Sequence, residues 1–241
     1  MSNVYWHHGF SCQRTNCCCH PQFYLKGVRN RLYNIKKGDE LGQVLSTVQK
    51  DYEGMQILWA TLTTPACEAD AVPSEMKNIV QGFRKLTSSR EIKPHLIGSF
   101  RGIHIKYNPT QDTHMVHIHA LLGMKATYQS RGYLTRDKWR KVWKEAVRIP
   151  SAEQVRVKRL EPELNNSLIA LAVNKGIYAM KPMQKDDWTP TGLAAFYSYT
   201  KDKRLTAYTG KFKEARKSYI KPQFVCLCPE CRKKEEAAKY A

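Results

Sequence analysis

Two histidines, His117 and His119, stand at i and i+2 in the stretch THMVHIHALLGM, Thr113–Met124. Side chains on a β-strand alternate between faces. Val116, Ile118, Ala120, Leu122 and Met124 then make one apolar face that packs on a core, and the two histidines share the other. Imidazoles so placed can converge on one metal ion. The preceding strand-like stretch, Leu96 to Tyr107, sends Ile103, Ile105 and Tyr107 one way and His104 the other, beside Gly102 and Lys106. With Tyr107 opposite His114, His104 lies directly across from His117. Three imidazoles then occupy one patch of an open sheet face, with positions left for substrate oxygens. A histidine pair at this spacing is by itself an ordinary surface feature. The clean alternation and the third histidine are what point to a metal.

These residues need a scaffold, and the flanking sequence supplies its signals. Ile57 to Thr63 reads as a buried strand stopped by Pro65. Ser74 is placed to cap a helix running to about Leu86, with Ile79, Phe83 and Leu86 on one face. Asn108–Asp112 is rich in turn formers and joins the two histidine-bearing strands. Thr135 caps a helix to about Val147, with Trp139, Val142, Trp143 and Ala146 inward. Val155 to Leu160 reads as a strand and Asn166 to Met180 as a helix. The order βαββαβα, with a hairpin at its centre, predicts an α+β fold: a central antiparallel β-sheet flanked by helices.

The chain divides into a Cys/His-rich basic segment over 1–50, the domain over 51–220, and a cysteine cluster with a charged tail over 221–241. At 241 residues there is room for one substantial domain and a small appendage. Its 42% hydrophobic content excludes a wholly disordered chain. Lys and Arg number 40 against 21 Asp and Glu, a formal charge of +19. A surplus of that size repels itself in a compact fold, so a polyanionic partner is expected. The start, MSNVYWHHGF, lacks the pattern of a secretory leader, and the longest apolar run, Leu168 to Val173, cannot span a bilayer. The expectation is a cytoplasmic protein whose eight cysteines are thiols or metal ligands.

The motifs together resemble the plasmid rolling-circle replication initiators of the HUH endonuclease superfamily, with gaps, from about Ile57 to Tyr219. LWATLTTP, Leu58–Pro65, is similar to the family's first motif, and Phe100–Met124 to its metal-binding second motif. NKGIYAMK, Asn174–Lys181, resembles the third, and RLTAYTGKFKEARK, Arg204–Lys217, the segment that closes the domain. The resemblance implies that His117 and His119 are metal ligands and that His104 stands at the third-ligand place. The family usually has a carboxylate there. An imidazole softens the site and favours Mn²⁺ or a later transition metal over Mg²⁺. Tyr178 falls at the nucleophile position, and Lys181, at i+3 on the same helical face, could steady the phosphate or help the phenol ionise. A glutamate often precedes the tyrosine by four residues in the family. This chain has Asn174, which cannot act as a base, so Asp186 and Glu163 are the substitutes to consider.

The implied substrate is single-stranded or origin hairpin DNA, nicked to a 5′-phosphotyrosine and a free 3′-hydroxyl, with host helicase and polymerase as further partners. Arg101, Lys106 and Lys175 are the basic residues assigned to the DNA. Cys12, Cys17 and His20 resemble a cysteine cluster that many of these initiators carry, and Cys228-x-x-Cys231 has zinc-knuckle spacing. One structural Zn²⁺ pinned between the ends, or two incomplete sites, both fit. Cys67 reads as a buried structural thiol. Two rivals remain: a single-tyrosine HUH transposase or relaxase, and a non-enzymatic zinc-stabilised DNA-binding protein.

Overall fold

Strand β1, Gln56–Thr63, carries apolar residues on both faces and sits inside a sheet rather than at its edge. The computed structural model describes residues 38, 40–149, 151, 154–161, 198–200 and 203–219, all within one compact unit spanning 37–219. β1 is joined by β2 (Leu96–Asn108), β3 (Thr113–Met124), β4 (Val155–Leu160) and β5 (Thr206–Thr209). The five strands are ordered β4-β1-β3-β2-β5, and every neighbouring pair is antiparallel. This is the expected α+β arrangement. The expected helix over Asn166 to Met180 lies outside the described residues.

Helix α2, Val72–Thr87, and helix α3, Arg136–Val147, cover one face of the sheet. Helix α2 starts before Ser74: its N-cap is Ala71, and Pro73 stands in the first turn. A proline costs nothing there, because the first N–H groups of a helix have no intrahelical partner. Ser74 instead donates its hydroxyl to the Ala71 carbonyl at 2.7 Å. Thr135 caps α3 as its sequence predicts, its hydroxyl accepting from the Lys138 N–H. Ile79, Phe83 and Leu86 of α2 meet Trp139, Val142 and Trp143 of α3 over Leu58, Ala60, Leu62, Ile103, Ile105, Ile118 and Leu122. The buried Trp143 indole donates to the Thr63 carbonyl at 3.0 Å, which ties α3 to the end of β1.

A second core lies on the opposite face. Residues 40–51 form a helix, α1, that is not among the elements the sequence pattern predicts. Its Leu41, Val44, Leu45 and Val48 pack with Ile57, Phe100, Leu121, Tyr208 and Phe212. Phe212 belongs to helix α4, Gly210–Lys217, which follows directly on the edge strand β5. Glycines let α4 come this close: a Cβ on Gly98 would stand 2.8 Å from the Phe212 backbone nitrogen, and one on Gly123 would stand 2.7 Å from its ring. Gly98 also marks the one register shift between β2 and β3. The Arg216 guanidinium donates to Glu40 at 2.5 Å and lies over the Tyr208 ring, which links α4 to α1.

Phe212 is fully buried and holds α1, α4 and the sheet together. Phe212→Ala is therefore expected to lower stability by about 3–5 kcal/mol, the usual cost of truncating a buried aromatic. Urea denaturation measures this. A loss under about 1 kcal/mol would show that α4 contributes little to the core.

Candidate metal centre

The antiparallel register of β2 and β3 sets Tyr107 against His114, His104 against His117, and Gly102 against His119. Directly paired residues point to the same face, so the three histidines converge on the face opposite α2 and α3. One ligand atom from each of His104, His117 and His119 can be chosen so that all lie within 4.8 Å of one another. His104 Nδ1 and His117 Nε2 are 3.0 Å apart. Two nitrogens bound at right angles to one ion at about 2.1 Å would be separated by ~3.0 Å. His104 and His117 are therefore spaced as two ligands of one transition-metal ion would be, and the third nitrogen lies close enough to join them after a small shift. Without an ion, the contact between His104 and His117 is a hydrogen bond in which one ring donates to the other.

The three rings are 4%, 9% and 5% exposed for His104, His117 and His119. The patch is buried rather than open, which the strand pattern does not reveal. Part of the cover comes from β1. Trp59 stacks on His119 with ring centroids 5.1 Å apart and planes 16° from parallel. Thr61, the cross-strand partner of His119, holds its Nδ1 at 3.1 Å through the hydroxyl. That contact holds the ring through Nδ1, the usual task of a residue behind a metal ligand.

Burial also fixes the charge. Desolvation pushes the His117 imidazole down to about 4; the Met115 carbonyl opposes the fall and Lys106 adds to it. Desolvation, then His117 and His104, pushes His119 down to about 3. Both rings are neutral near pH 7, the form that binds metal without first releasing a proton.

Of the other residues singled out, Lys106 is exposed on the histidine face, where its charge reaches His117. Arg101 is not beside it. It pairs with Ala120 and points to the helix-covered face. Cys67 is partly buried against the main core, and burial pushes its thiol up to about 11, so it stays protonated and inert. Tyr178, Lys181, Lys175, Asn174, Asp186, Glu163, Cys12, Cys17, His20, Cys228 and Cys231 lie outside the described residues. Trp59 and Thr61 are the site residues that motif reading passes over. Their alternation shows in the sequence, but only the register with β3 brings them to His119.

A family model described as Replication protein matches residues 14–239. The chain belongs to the replication-protein family. Its relatives include a "Protein rep" of Streptococcus pneumoniae serotype 2 (strain D39 / NCTC 7466), 24% identical over 187 residues, 76% of this chain and 58% of that one. A "Protein rep" of Staphylococcus aureus is 28% identical over 129 residues, 53% and 56% of the two chains. A Staphylococcus aureus "Replication protein" is 24% identical over 194 residues, 76% of this chain and 82% of its own. The chain thus spans a little over half the length of the first two relatives. No solved structure matches it. Among the described residues no helix is long and apolar enough to cross a membrane.

The depressed histidines have a measurable consequence in chelator-treated protein. Unfolded, each imidazole takes up a proton near 6.5; folded, His117 and His119 do so only near 4 and 3. The unfolded state therefore binds more protons in that window, and stability falls as the pH falls from about 6.5. Urea midpoints should drop between about pH 7 and pH 4.5, and His117→Gln should flatten the slope. A flat wild-type profile would contradict the burial of neutral rings.

Proposed function

We propose that this chain is a rolling-circle plasmid replication initiator, a site-specific endonuclease that nicks and rejoins single-stranded DNA at an origin. The observation that carries this reading is the buried three-imidazole cluster in a member of the replication-protein family. His104, His117 and His119 would hold a divalent ion. Bound there, it would supply polarisation of a non-bridging phosphate oxygen and offset the charge that builds in the transition state. The all-nitrogen donor set favours Mn²⁺ over Mg²⁺.

In this reading Tyr178 is the nucleophile. Its phenol oxygen bonds to the scissile phosphorus while the bond to the 3′ oxygen breaks. The phenol gives up its proton and the 3′ oxygen gains one, leaving a 5′-phosphotyrosine and a 3′-hydroxyl that a host polymerase can extend behind a helicase. One phosphate ester replaces another, so the step reverses with little energetic loss. Lys181 would steady the phosphate. Four of the described tyrosines fit the nucleophile's role poorly. Tyr107, Tyr128 and Tyr199 lie on the helix-covered side. Tyr208 sits in the second core, where burial, reinforced by Glu40, pushes its phenol up. A nucleophile needs the reverse.

The net charge of +19 suits a polyanion, and Lys106 is exposed on the histidine face. Cys12, Cys17, His20, Cys228 and Cys231 would hold structural Zn²⁺ in the same reading. The purified chain with Mn²⁺ should cleave an origin-bearing oligonucleotide, and EDTA should abolish cleavage. His117→Ala or His119→Ala should lose cleavage by at least about a hundredfold (~3 kcal/mol of transition-state stabilisation) while retaining DNA binding. Tyr178→Phe should yield no covalent adduct by mass spectrometry. Full cleavage by the double histidine variant would sink the metal assignment, and DNA binding without cleavage by wild type would favour a non-enzymatic DNA-binding protein.

Asn174 makes a separate prediction. A carboxylate four residues before Tyr178 on a helix would share its face and could activate water. Wild type should therefore accumulate a long-lived adduct, and Asn174→Glu should shorten its lifetime in a decay time course. Rapid hydrolysis in both would point to another base, with Asp186 and Glu163 the first to test.

A further inference from the structure

Arg101 is 7% exposed, and its Nη1 is fully buried without a hydrogen-bond partner. Its cross-strand neighbours are Ala120 on β3 and Ala207 on β5, neither of which can hydrogen-bond the guanidinium through its side chain. Two more cations are near enough for their charges to act on it. Arg84 is an exposed residue in the last turn of α2, and Arg204 is exposed just ahead of β5, where the Ile103 N–H donates to the Leu205 carbonyl at 2.9 Å. Among the described residues none of the three arginines forms an ion pair. Desolvation, then Arg84 and Arg204, pushes the Arg101 guanidinium down to about 10, so it remains charged at neutral pH.

A buried, unpaired charge is among the most unfavourable things a fold can contain. A lysine or histidine in that place can shed its proton, but an arginine cannot. Two further cations beside it raise the energy again. The arrangement becomes favourable when a multiply charged oxyanion is present. Guanidinium groups bind phosphate oxygens through paired N–H donors, and three of them can surround one phosphate.

We infer that Arg101, Arg84 and Arg204 form a phosphate-binding site on the helix-covered side of the sheet, across it from the histidine cluster. The ligand is a phosphate group, either one in a nucleic-acid backbone or a free phosphate anion. The site needs no metal and does not depend on the nicking reading. It gives the protein a second anchor for a polyanion, on the far side of the sheet from the imidazoles.

The test uses the full chain as purified, with an oligonucleotide that carries no origin sequence, which excludes cleavage. Thermal unfolding is followed with inorganic phosphate against chloride at matched ionic strength, and binding of a fluorescent single-stranded oligonucleotide is measured across a salt series. Arg101→Met keeps an unbranched apolar stem and removes the guanidinium and its charge. Without phosphate its Tm should equal or exceed that of wild type, which a purely structural arginine would not allow. Phosphate should raise the wild-type Tm and leave the variant's unchanged, or the slope of log affinity against log salt should fall by about 0.7 in the variant, as for one lost phosphate contact to a single strand. A response to inorganic phosphate identifies a free anion as sufficient; a response to the oligonucleotide alone identifies a backbone phosphate. Arg204→Gln, at an exposed position, should weaken the same response and serves if Arg101→Met does not fold. Identical phosphate and DNA responses in wild type and Arg204→Gln, or in wild type and a folded Arg101→Met, would overturn the site.

Discussion

The pairing of β2 with β3 is the constraint on which the histidine cluster depends. Tyr107 opposite His114 puts His104 opposite His117, and a slip of one residue would send every side chain of one strand to the wrong face. Two features hold that register near the turn. Asp112 takes a left-handed conformation, φ 49°, which closes the turn between the strands. Its carboxylate accepts a hydrogen bond from the Tyr107 hydroxyl at 2.7 Å. The register shift at Leu96/Gly98 falls at the far end of the hairpin, so the histidine rows are untouched. On the other face, Ile103, Ile105, Val116 and Ile118 are buried against the helices, so apolar burial enforces the same alignment.

Much of this was legible because alternation is a local property. Thr113–Met124 and Val155–Leu160 are strands with the bounds their patterns predict, and Thr135 caps α3 because its hydroxyl stands just ahead of a helix whose apolar stripe begins at Trp139. Helix α1 carried a signal too: Leu41, Val44, Leu45 and Val48 follow helical spacing, although a basic stretch precedes them. Strand β5 carried almost none. Four residues, TAYT, acquire their conformation from pairing with the edge of β2 rather than from their own periodicity. The burial of the histidines was equally out of reach, since alternation names a face without saying what lies above it. Trp59 reaches His119 only through the pairing of β1 with β3.

Burial acts differently on the histidine cluster and on Arg101, which lie on opposite faces of the sheet. On one, imidazoles are buried in the neutral form, which lowers the desolvation cost and leaves lone pairs to bind a cation. On the other, Arg101 keeps its charge under burial, which suits the phosphate site inferred above. A chain of net charge +19 can thus present a cation-seeking centre and an anion-seeking one within a single sheet. Their separation by the thickness of that sheet keeps the arginine from repelling a bound metal at short range, because the like charges never share a surface.

The contact between Glu40 and Arg216 joins residues 176 positions apart and closes the second core from both sides. Helix α1 leaves the ribosome early, but β5, α4 and Phe212 follow only after the strands and helices between them have been made. During synthesis the inner face at Ile57, Phe100 and Leu121 stays without its α4 cover until residues 206–217 arrive. Such wide sequence separation places the domain among the slower folders, since distant chain segments must meet before their contacts repay the lost entropy. A nascent chain stopped short of α4 would expose that apolar face, making an interrupted product a target for chaperones and proteases rather than a partly working protein.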